Sequence, residues 1–503
     1  MARRMIVAAL GVAALLLSIA VGGTPAGAAS RPVPIPGLPA PGPAFLGAPA
    51  TADPVSGIPP VPQNPYLAPN GDSNIHDDGW QSNTYDRLGP LGDNLEVASS
   101  FLAAECASIN FDSAGRIVAT CIGPGTAALY LFDPTTLATR GRYPLPRSLL
   151  PGILTNPNIF NNFSGGAYFY LDNADRAVIG TSTGHVLVLA ENATATGFVL
   201  QRDYNLTSYL RKGEALNSVL PSSTGLLWLV TKTDGVVGTL DAATGAVHLV
   251  RLGAGSTGEI ENSFAVGSDG EVYIVTNRAM YRFDAGPDGA PTVTWQATYP
   301  NSGQRKPGQV DDGSGTTPAV LPGGYVAITD NADPMDVVVY RTDPAATQRE
   351  VCAVPVFSKG ASDTENSLIA AGNSLVVENN YGYKSPLSTE LGHTTTAGFA
   401  RVDIDPEGTG CHLVWTTDSV AAPTVVPKLS LATGLIYTYT KPTSHADPWY
   451  WTALDFRTGA LVWRRVSGTG IGYNNNYAGI ALGPDGTAYL GVLGGIISLR
   501  DGG

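Results

Sequence analysis

The sequence contains few residues of the types that mark common catalytic and metal sites. It has only four cysteines and six histidines in 503 residues, and it has no Cys-x-x-Cys, no His-Glu-x-x-His and no phosphate-binding loop. These absences exclude the familiar redox, zinc-protease and nucleotide-binding motifs. Only 14% of the residues are charged, and the net charge of −13 argues against nucleic acid and anionic membrane surfaces as partners.

Long apolar runs are also absent after the N-terminus. Arg3 and Arg4 precede an apolar stretch over residues 6–21, and small residues follow at 26–28. This is the pattern of a secretory signal peptide, and the stretch is short for a membrane-spanning helix. We therefore predict a signal peptide over residues 1–28, export from a bacterial cell, and a secreted monomer without a membrane span.

The four cysteines predict two disulfides in an exported protein, and four cysteines allow three pairings. Cys106 and Cys121 flank one strand–turn–strand unit, which favours a local bridge. Cys352 and Cys411 then remain, each on the last strand of its own repeat unit, and a bridge between neighbouring units is expected. A redox or metal site is the alternative, but it lacks the usual cysteine spacing.

A repeated pattern of short strands fixes the fold class. An apolar run ends in Asp-x-x-Thr-Gly and leads into a second apolar run, as in residues 453–463 and again in residues 238–247. Repeats of roughly 40–50 residues that contain only short strands indicate a β-propeller. The sequence therefore predicts an all-β propeller domain over residues 93–503, preceded by a mobile Pro/Ala/Gly-rich linker and a polar lead-in over residues 29–92.

The propeller is predicted to have eight four-stranded blades. The last unit has only three strands before Gly503, and a strand-like piece at residues 95–99 precedes the first unit. We expect this N-terminal piece to complete the last blade and close the ring, because closure removes an unpaired sheet edge. Removal of everything before residue 91 should then be tolerated. Seven blades are the alternative if the divergent second unit is not a blade. Inner strands are expected to begin near Cys106, Gly166, Leu216, Asn262, Thr317, Asn366, Thr424 and Ala478.

The motif Ala-Leu-Asp-x-x-Thr-Gly-x-Leu-Val-Trp at residues 453–463 resembles the repeat of pyrroloquinoline-quinone (PQQ)-type eight-bladed propellers. The resemblance covers most of residues 95–503 as a pattern and implies that Trp295, Trp415 and Trp463 pack between blades. Quinone dehydrogenases of this fold hold their cofactor beside two adjacent cysteines. This chain has no adjacent cysteine pair, so the resemblance does not extend to PQQ binding.

Polar residues recur where the predicted inner strands begin. The triplet Glu-Asn-Ser occurs at residues 261–263 and again at 365–367, and an Asp pair lies at 311–312. Oxygen ligands that converge from several blades suit Ca²⁺, as in the similar central site of gluconolactonase- and paraoxonase-type propellers. The alternative is that these side chains only bond backbone groups at the strand starts. The predicted metal ligands are Glu261, Asn262, Asp311, Asp312, Glu365 and Asn366.

Two histidines are candidate general bases. His76 lies in His-Asp-Asp-Gly-Trp just before the propeller, and His393 lies in a long insertion of the sixth unit. A carboxylate beside an imidazole can orient it for proton transfer. The alternative for His76 is a polar turn after the linker.

Two functions remain open on the sequence alone. The first is an extracellular module that binds a small molecule, a saccharide or a protein through the loop face of its channel. The second is a Ca²⁺-assisted hydrolase or lyase that acts on an ester, lactone or saccharide at the channel mouth, with His76 or His393 as base.

Overall fold

The structure is a computed structural model, and it describes residues 31–40, 42–123, 126–146, 166–253 and 258–503. The predicted signal peptide lies outside these residues. Among them, no helix is long and apolar enough to cross a membrane.

Eight sheets arranged around a central channel form the propeller, as the sequence predicts. In each blade the chain runs from the innermost strand outward through antiparallel neighbours. The strands of the first four blades are β4 (Glu105–Phe111), β5 (Ile117–Gly123), β6 (Thr126–Phe132) and β7 (Thr139–Pro144); β8 (Phe169–Leu171), β9 (Ala177–Gly180), β10 (His185–Glu191) and β11 (Phe198–Asn205); β12 (Leu216–Pro221), β13 (Leu227–Thr231), β14 (Val236–Leu240) and β15 (Val247–Arg251); and β16 (Ala265–Val266), β17 (Val272–Val275), β18 (Ala279–Ala285) and β19 (Pro291–Thr298).

Blades seven and eight also contain strands from the N-terminal part of the chain, β1 (Phe45–Gly47), β2 (Thr84–Tyr85) and β3 (Glu96–Phe101). Short 3-10 helices lie at Pro386–Thr389 and Ile471–Tyr473. The other strands of blades five to eight are β20 (Ala319–Leu321), β21 (Tyr325–Thr329), β22 (Met335–Arg341) and β23 (Glu350–Val356); β24 (Ile369–Ala371), β25 (Ser374–Glu378), β26 (Phe399–Ile404) and β27 (Cys411–Thr417); β28 (Lys428–Ser430), β29 (Leu435–Thr440), β30 (Pro448–Asp455) and β31 (Leu461–Thr469); and β32 (Ile480–Leu482), β33 (Ala488–Val492) and β34 (Gly495–Arg500).

The ring closes in blade eight, as predicted. β3 pairs antiparallel with β34, from Glu96 opposite Arg500 to Phe101 opposite Gly495. Hydrogen bonds beyond the strand also hold the two ends of the chain together. The Asp501 carboxylate accepts the backbone N–H groups of Leu91, Gly92 and Asp93 at 2.7, 2.8 and 2.8 Å. Closure leaves no gap between the first and last blades, which explains why the last unit needs only three strands of its own.

Trp295 and Trp415, on outer strands, each bond the neighbouring blade, as the resemblance implies. Trp463 is instead buried against Tyr437 of its own blade. Trp295 donates its indole N–H to the Thr342 carbonyl of blade five, and Trp415 donates to the Phe456 carbonyl of blade seven. The Asp-x-x-Thr-Gly turn makes room for this packing. Gly459 has a φ of +70°, and a Cβ there would lie 2.6 Å from the Trp415 ring. Glycine is therefore required at this turn for both conformation and space.

Both predicted disulfides are present. Cys106–Cys121 crosses between β4 and β5 within blade one, where the two residues are register partners. Cys352–Cys411 joins the outermost strands of blades five and six. The second bridge therefore links two consecutive blades.

The segment before the propeller differs from the mobile linker that its composition predicts. β1 pairs with β31 at the outer edge of blade seven, and the side chain of Ile35 is buried against the same part of the core. The composition predicts a mobile linker because this Pro-rich segment has no strand or helix periodicity of its own. In the structure, hydrogen bonds to the outer edge of blade seven hold the segment in place. The domain boundary near residue 92 stays a prediction.

Residues 64–87, here called the plug, close one end of the channel. The plug contacts the innermost strand of every blade near the end at which that strand finishes. Backbone carbonyls of the plug accept N–H groups from six of the blades, namely those of Phe111, Leu171, Val266, Val320, Ala370, Leu429 and Leu431. Asn64 bonds the Pro221 carbonyl of blade three, and Arg87 bonds the Leu482 carbonyl of blade eight.

A buried ion pair holds the centre of the plug. Lys428 on β28 and Asp77 are both fully buried, with Nζ to Oδ1 at 2.9 Å. Lys428 also donates to Asn83 Oδ1 at 2.7 Å and to the Ile75 carbonyl. Asp77 and Asn83 adopt left-handed backbone conformations, with φ of 83° and 57°, which these residue types tolerate better than most. The plug can therefore turn sharply at these two positions without glycine.

Candidate functional site

The plug leaves the channel open only at the face where the innermost strands begin, here called the start face. Between the plug and this face lies a cavity of about 40 Å³, here called the lumen. Seven of the eight blades and the plug contribute to it. Its lining residues are Ile75, His76, Ala107, Ala167, Tyr168, Glu261, Asn262, Val310, Glu365, Asn366, Ser367, Val426 and Tyr477.

The lumen brings together five of the residues singled out from the sequence: His76, Glu261, Asn262, Glu365 and Asn366. They converge because equivalent positions at the starts of inner strands face the channel axis in every blade. The repeated Glu-Asn-Ser triplet was the signal that located two of these strand starts. Their roles as ligands or base stay predictions.

The structure does not bring the other three predicted residues into the lumen. Asp311 is buried beside it, where its Oδ1 accepts the Gly313 N–H at 2.9 Å. Asp312 turns toward Arg278, with which it forms an ion pair at 3.3 Å. His393 is exposed in the blade-six insertion, and its carbonyl accepts a hydrogen bond from Lys441 at 2.8 Å. Asp312 is thus held by a residue of the β17–β18 turn, and the backbone of His393 is held by a residue of blade seven.

The wall of the lumen is rich in carboxyl groups. Glu261 forms an ion pair with Lys232, whose ammonium also lies 4.0 Å from Glu259. Burial raises the pKa of Glu365 well above its usual range, and the nearby Asp311 and Glu261 raise it further. Burial, with Glu261, raises the pKa of Asp311 in the same way. One lysine therefore faces several acids, which favours a further positive charge in the lumen.

Several buried polar atoms at the lumen have no hydrogen-bond partner among the described residues. They include Glu365 Oε1, Asn366 Oδ1 and Asn262 Nδ2. The other polar atom of two of these side chains bonds the protein itself. Glu365 Oε2 accepts the Val310 N–H at 2.9 Å, and Asn262 Oδ1 accepts a hydrogen bond from the Tyr168 hydroxyl at 2.9 Å. These side chains thus support the strand starts with one atom and leave another for a ligand or water.

The carboxyl groups do not form a ready metal cage. Among the described residues, no three His, Cys, Asp or Glu side chains converge closely enough to hold a metal ion. A Ca²⁺ ion would have to draw further oxygens from Asn262, Asn366 or solvent to reach its usual six to eight ligands.

His76 forms the floor of the lumen and is held in one tautomer. Its Nδ1 lies 3.0 Å from Asn83 Oδ1, an oxygen that also accepts from Lys428, so Nδ1 carries the proton. Nε2 then presents a lone pair 3.4 Å from Ser367 Oγ. Burial and the neighbouring Lys428 ammonium lower the pKa of His76 to about 3. The imidazole is therefore neutral at physiological pH and acts as a hydrogen-bond acceptor.

Sequence reasoning missed several residues that shape this site: Lys232, Lys428, Tyr168 and Tyr477. Lys232 offered a signal that was not used. It follows the second strand of its blade, and polar residues stand at the same position after Thr276 and Thr440. Lys428 gave none, since a single lysine in a short strand pattern is usually a solvated residue.

Stability should fall as the pH rises from about 6.5 to 8.5. Burial raises the pKa of Glu378 to about 8, and that of Asp363 and Asp330 to about 7. The folded state then keeps protons that the unfolded chain has already lost, so each such group destabilises by up to about 1.4 kcal/mol per pH unit. His76 acts in the opposite direction only below its unfolded pKa of 6.5. Thermal unfolding at constant ionic strength tests this.

Glu378→Gln is the control for that pH dependence. Glutamine can still accept the hydrogen bond that Asn380 donates to Glu378 at 2.8 Å, so the variant should fold and show a shallower decline. A melting temperature that stays flat or rises across this range would contradict the electrostatics described here.

Comparison with known proteins assigns neither a family nor an activity to this chain. No protein-family model matches the chain, so the resemblance to the PQQ-type repeat holds only at the level of the eight-bladed architecture. An uncharacterized protein of Archaeoglobus fulgidus is 26% identical over 365 residues, 66% of this chain and 70% of that protein.

Solved propellers are similar in overall shape. Chaetomium thermophilum Sqt1 bound to the N-terminus of ribosomal protein L10 is 14% identical with a TM-score of 0.44, covering 87% of this chain and 98% of its own. A streptogramin B lyase is 11% identical with a TM-score of 0.41, covering 81% and 98%. Such low scores carry no argument about activity, and the chain is assigned to the β-propeller architecture alone.

Proposed function

We propose that this protein is a binding module that takes a positively charged ligand, or a charged group of a partner, into the lumen from the start face. The observation that carries this proposal is a channel closed at one end by the plug, with the buried acceptor atoms Glu365 Oε1 and Asn366 Oδ1 left without partners on residues that line the lumen. Buried polar atoms are nearly always paired, so unpaired ones at a cavity favour a ligand.

The charge balance of the wall supports a cation. Glu261 raises the pKa of both Asp311 and Glu365, and the Lys232 ammonium lowers the pKa of both. Burial opposes the charge on Lys232, but Glu261, Glu259 and Asp311 raise its pKa. An added positive charge would allow the remaining carboxyls to ionise, so cation binding and proton release should be coupled.

The protein is proposed to act outside the cell. The basic and apolar start of the sequence has the pattern of an export signal. Two disulfides are consistent with an oxidising compartment.

A Ca²⁺-assisted hydrolase is the second candidate, and one observation favours it. Ser367 Oγ lies 3.4 Å from His76 Nε2, and His76 Nδ1 lies 3.0 Å from Asn83 Oδ1. This is the order of a nucleophile, a base and a residue that orients the base. The low pKa of His76 speaks against it, because a base is most effective with a pKa near the working pH. The binding module is therefore the better supported function.

Cation binding can be measured by thermal unfolding and calorimetry with CaCl₂, MgCl₂ and organic ammonium salts. At least one cation should raise the melting temperature by a few degrees, since a ligand at about 100 times its Kd stabilises the fold by about 2.7 kcal/mol. Glu365→Gln should abolish this response. Glu350→Gln, the same change at an exposed edge strand, should retain it.

The enzyme candidate has a separate readout in the same experiment. Hydrolysis of p-nitrophenyl acetate with and without CaCl₂ should be no faster for the wild type than for Ser367→Ala. A Ca²⁺-dependent rate that Ser367→Ala removes would favour the hydrolase. If no cation changes the melting temperature or gives binding heat, the binding module as proposed is wrong.

A further inference from the structure

We infer that the ligand of the lumen is a protonated primary amine on a short aliphatic stem. This inference rests on the proposed cation-binding function and specifies its substrate class. Two features carry it: a set of three acceptor atoms on residues that line the lumen, and apolar side chains on the rest of its wall.

The three acceptors are Glu365 Oε1, Asn366 Oδ1 and His76 Nε2. The first two have no partner among the described residues, and the third faces the Ser367 hydroxyl at 3.4 Å, which would turn away to free the nitrogen lone pair for the ligand. All three residues are at least nine-tenths buried, with exposures of 7%, 2% and 2%. An ammonium group carries three N–H donors and no acceptor, which matches this set in number and polarity.

The other hydrogen bonds of Asn366 and His76 fix which of their atoms is left to accept from a ligand. The Asn366 amide nitrogen donates to Glu378 Oε1 and to Asn380 Oδ1. If the amide oxygen and nitrogen of Asn366 were exchanged, its oxygen would lie against two acceptor oxygens, Glu378 Oε1 and Asn380 Oδ1. Oδ1 is therefore the amide atom left without a partner. His76 is fixed in the same way, because Asn83 holds its Nδ1–H. The acceptors are therefore preorganised rather than rotatable.

The remaining wall suits an alkyl stem. Ile75, Val310 and Val426 line the lumen together with the small residues Ala107 and Ala167. Tyr168 and Tyr477 also line it and are partly exposed. Aromatic faces attract cations, and apolar side chains favour methylene groups over water. A hydrated inorganic ion would gain nothing from this part of the wall.

The size and ligand geometry also favour an amine over a metal ion. The lumen of about 40 Å³ is larger than the roughly 10–15 Å³ that a cavity needs to hold one water, which is enough for an ammonium group and its first carbon. The acceptors come from the plug and blade six, and no three His, Cys, Asp or Glu side chains of the described residues meet as a metal requires. Longer ligands would extend past Tyr168 and Tyr477 toward the start face.

Calorimetry and thermal unfolding with n-propylammonium chloride test the inference on the full chain. A ligand of four heavy atoms binds in the tens of micromolar at best, so titration should reach about 50 mM. We expect binding heat and a raised melting temperature with n-propylammonium. Tetramethylammonium, which has no N–H, and 1-propanol, which has no charge, should give neither. Nα-acetyl-lysine amide then distinguishes a free amine from a lysine side chain as the source, and binding of either supports the inference.

Two variants locate the binding. Glu365→Gln should weaken n-propylammonium binding by about tenfold or more, because it removes a charge-assisted hydrogen bond, and Glu350→Gln should have no effect. Ala167→Leu should fill the lumen and abolish binding in a folded protein, which keeps the test valid if Glu365→Gln does not fold.

The outcomes separate this inference from the function on which it rests. If CaCl₂ stabilises the protein through Glu365 and n-propylammonium does not, the amine is wrong and the cation-binding module stands. Equal binding of tetramethylammonium would also overturn the amine, since the three acceptors would then be irrelevant. If no cation binds, both proposals are wrong.

Discussion

A chain that begins at residue 91 should fail to fold into a stable propeller. It would lack the plug, whose backbone carbonyls accept seven N–H groups of inner strands. At about 1 kcal/mol each, these hydrogen bonds alone amount to about 7 kcal/mol, which is comparable with the whole stability of a typical domain, about 5–15 kcal/mol. Removal would also take away the three groups that Lys428 contacts in the plug, namely Asp77, Asn83 and the Ile75 carbonyl. Circular dichroism and thermal unfolding of the purified protein measure the effect.

The control for this deletion begins at residue 31 and removes only residues outside the described part of the chain. It should unfold as the longer protein does. A synthetic peptide of residues 61–90, added to the shortened chain, should restore part of the lost stability. A chain from residue 91 that melts within a few degrees of the control would show that the plug is not needed, as its composition alone predicts.

Replacing Asp77 by Asn should destabilise the protein by about 3–5 kcal/mol. The change leaves the Lys428 ammonium fully buried without a compensating charge. Burial already lowers the pKa of Lys428 and raises that of Asp77 to about 7, so the pair is held against a strong desolvation penalty. Denaturant unfolding gives the free energy of unfolding directly.

Two further variants give that measurement its meaning. Asp77→Asn combined with Lys428→Met should recover most of the loss, because an apolar replacement removes the buried charge itself. Asp53→Asn, at the exposed pair with Arg457 at 3.0 Å, should cost less than about 1 kcal/mol. An equal, small effect of Asp77→Asn and Asp53→Asn would mean that the plug is not held by charge.

The sequence predicted the eight-bladed ring but not the plug that closes one end of its channel. Strand patterns and the Asp-x-x-Thr-Gly turns place all eight inner strands to within about four residues of their observed starts, because periodic burial is a local signal. The plug has no such signal. Asp77 and Asn83 take up their left-handed conformations inside a channel that other parts of the chain build, so nothing in the neighbouring sequence specifies them.

The residues of the candidate site were predicted only in part, because only some of them belong to a repeated pattern. Glu261 and Glu365 were found because their triplet repeats at equivalent strand starts. Asp312 was misplaced, since one residue's shift along a loop turns a side chain toward a different partner, here Arg278. Lys428 and Tyr168 became visible only through their neighbours across the channel.

The closing strand and the plug both come from the beginning of the chain, whereas β34, to which the closing strand pairs, lies at its end. Contacts between positions some four hundred residues apart, such as Leu91 with Asp501, give a high contact order, and loops of that length are slow to close. The ring can be sealed only after the last residues have been synthesised. Partly made chains would therefore hold open blades with unpaired edges, and their survival would depend on the speed of the final strand pairing.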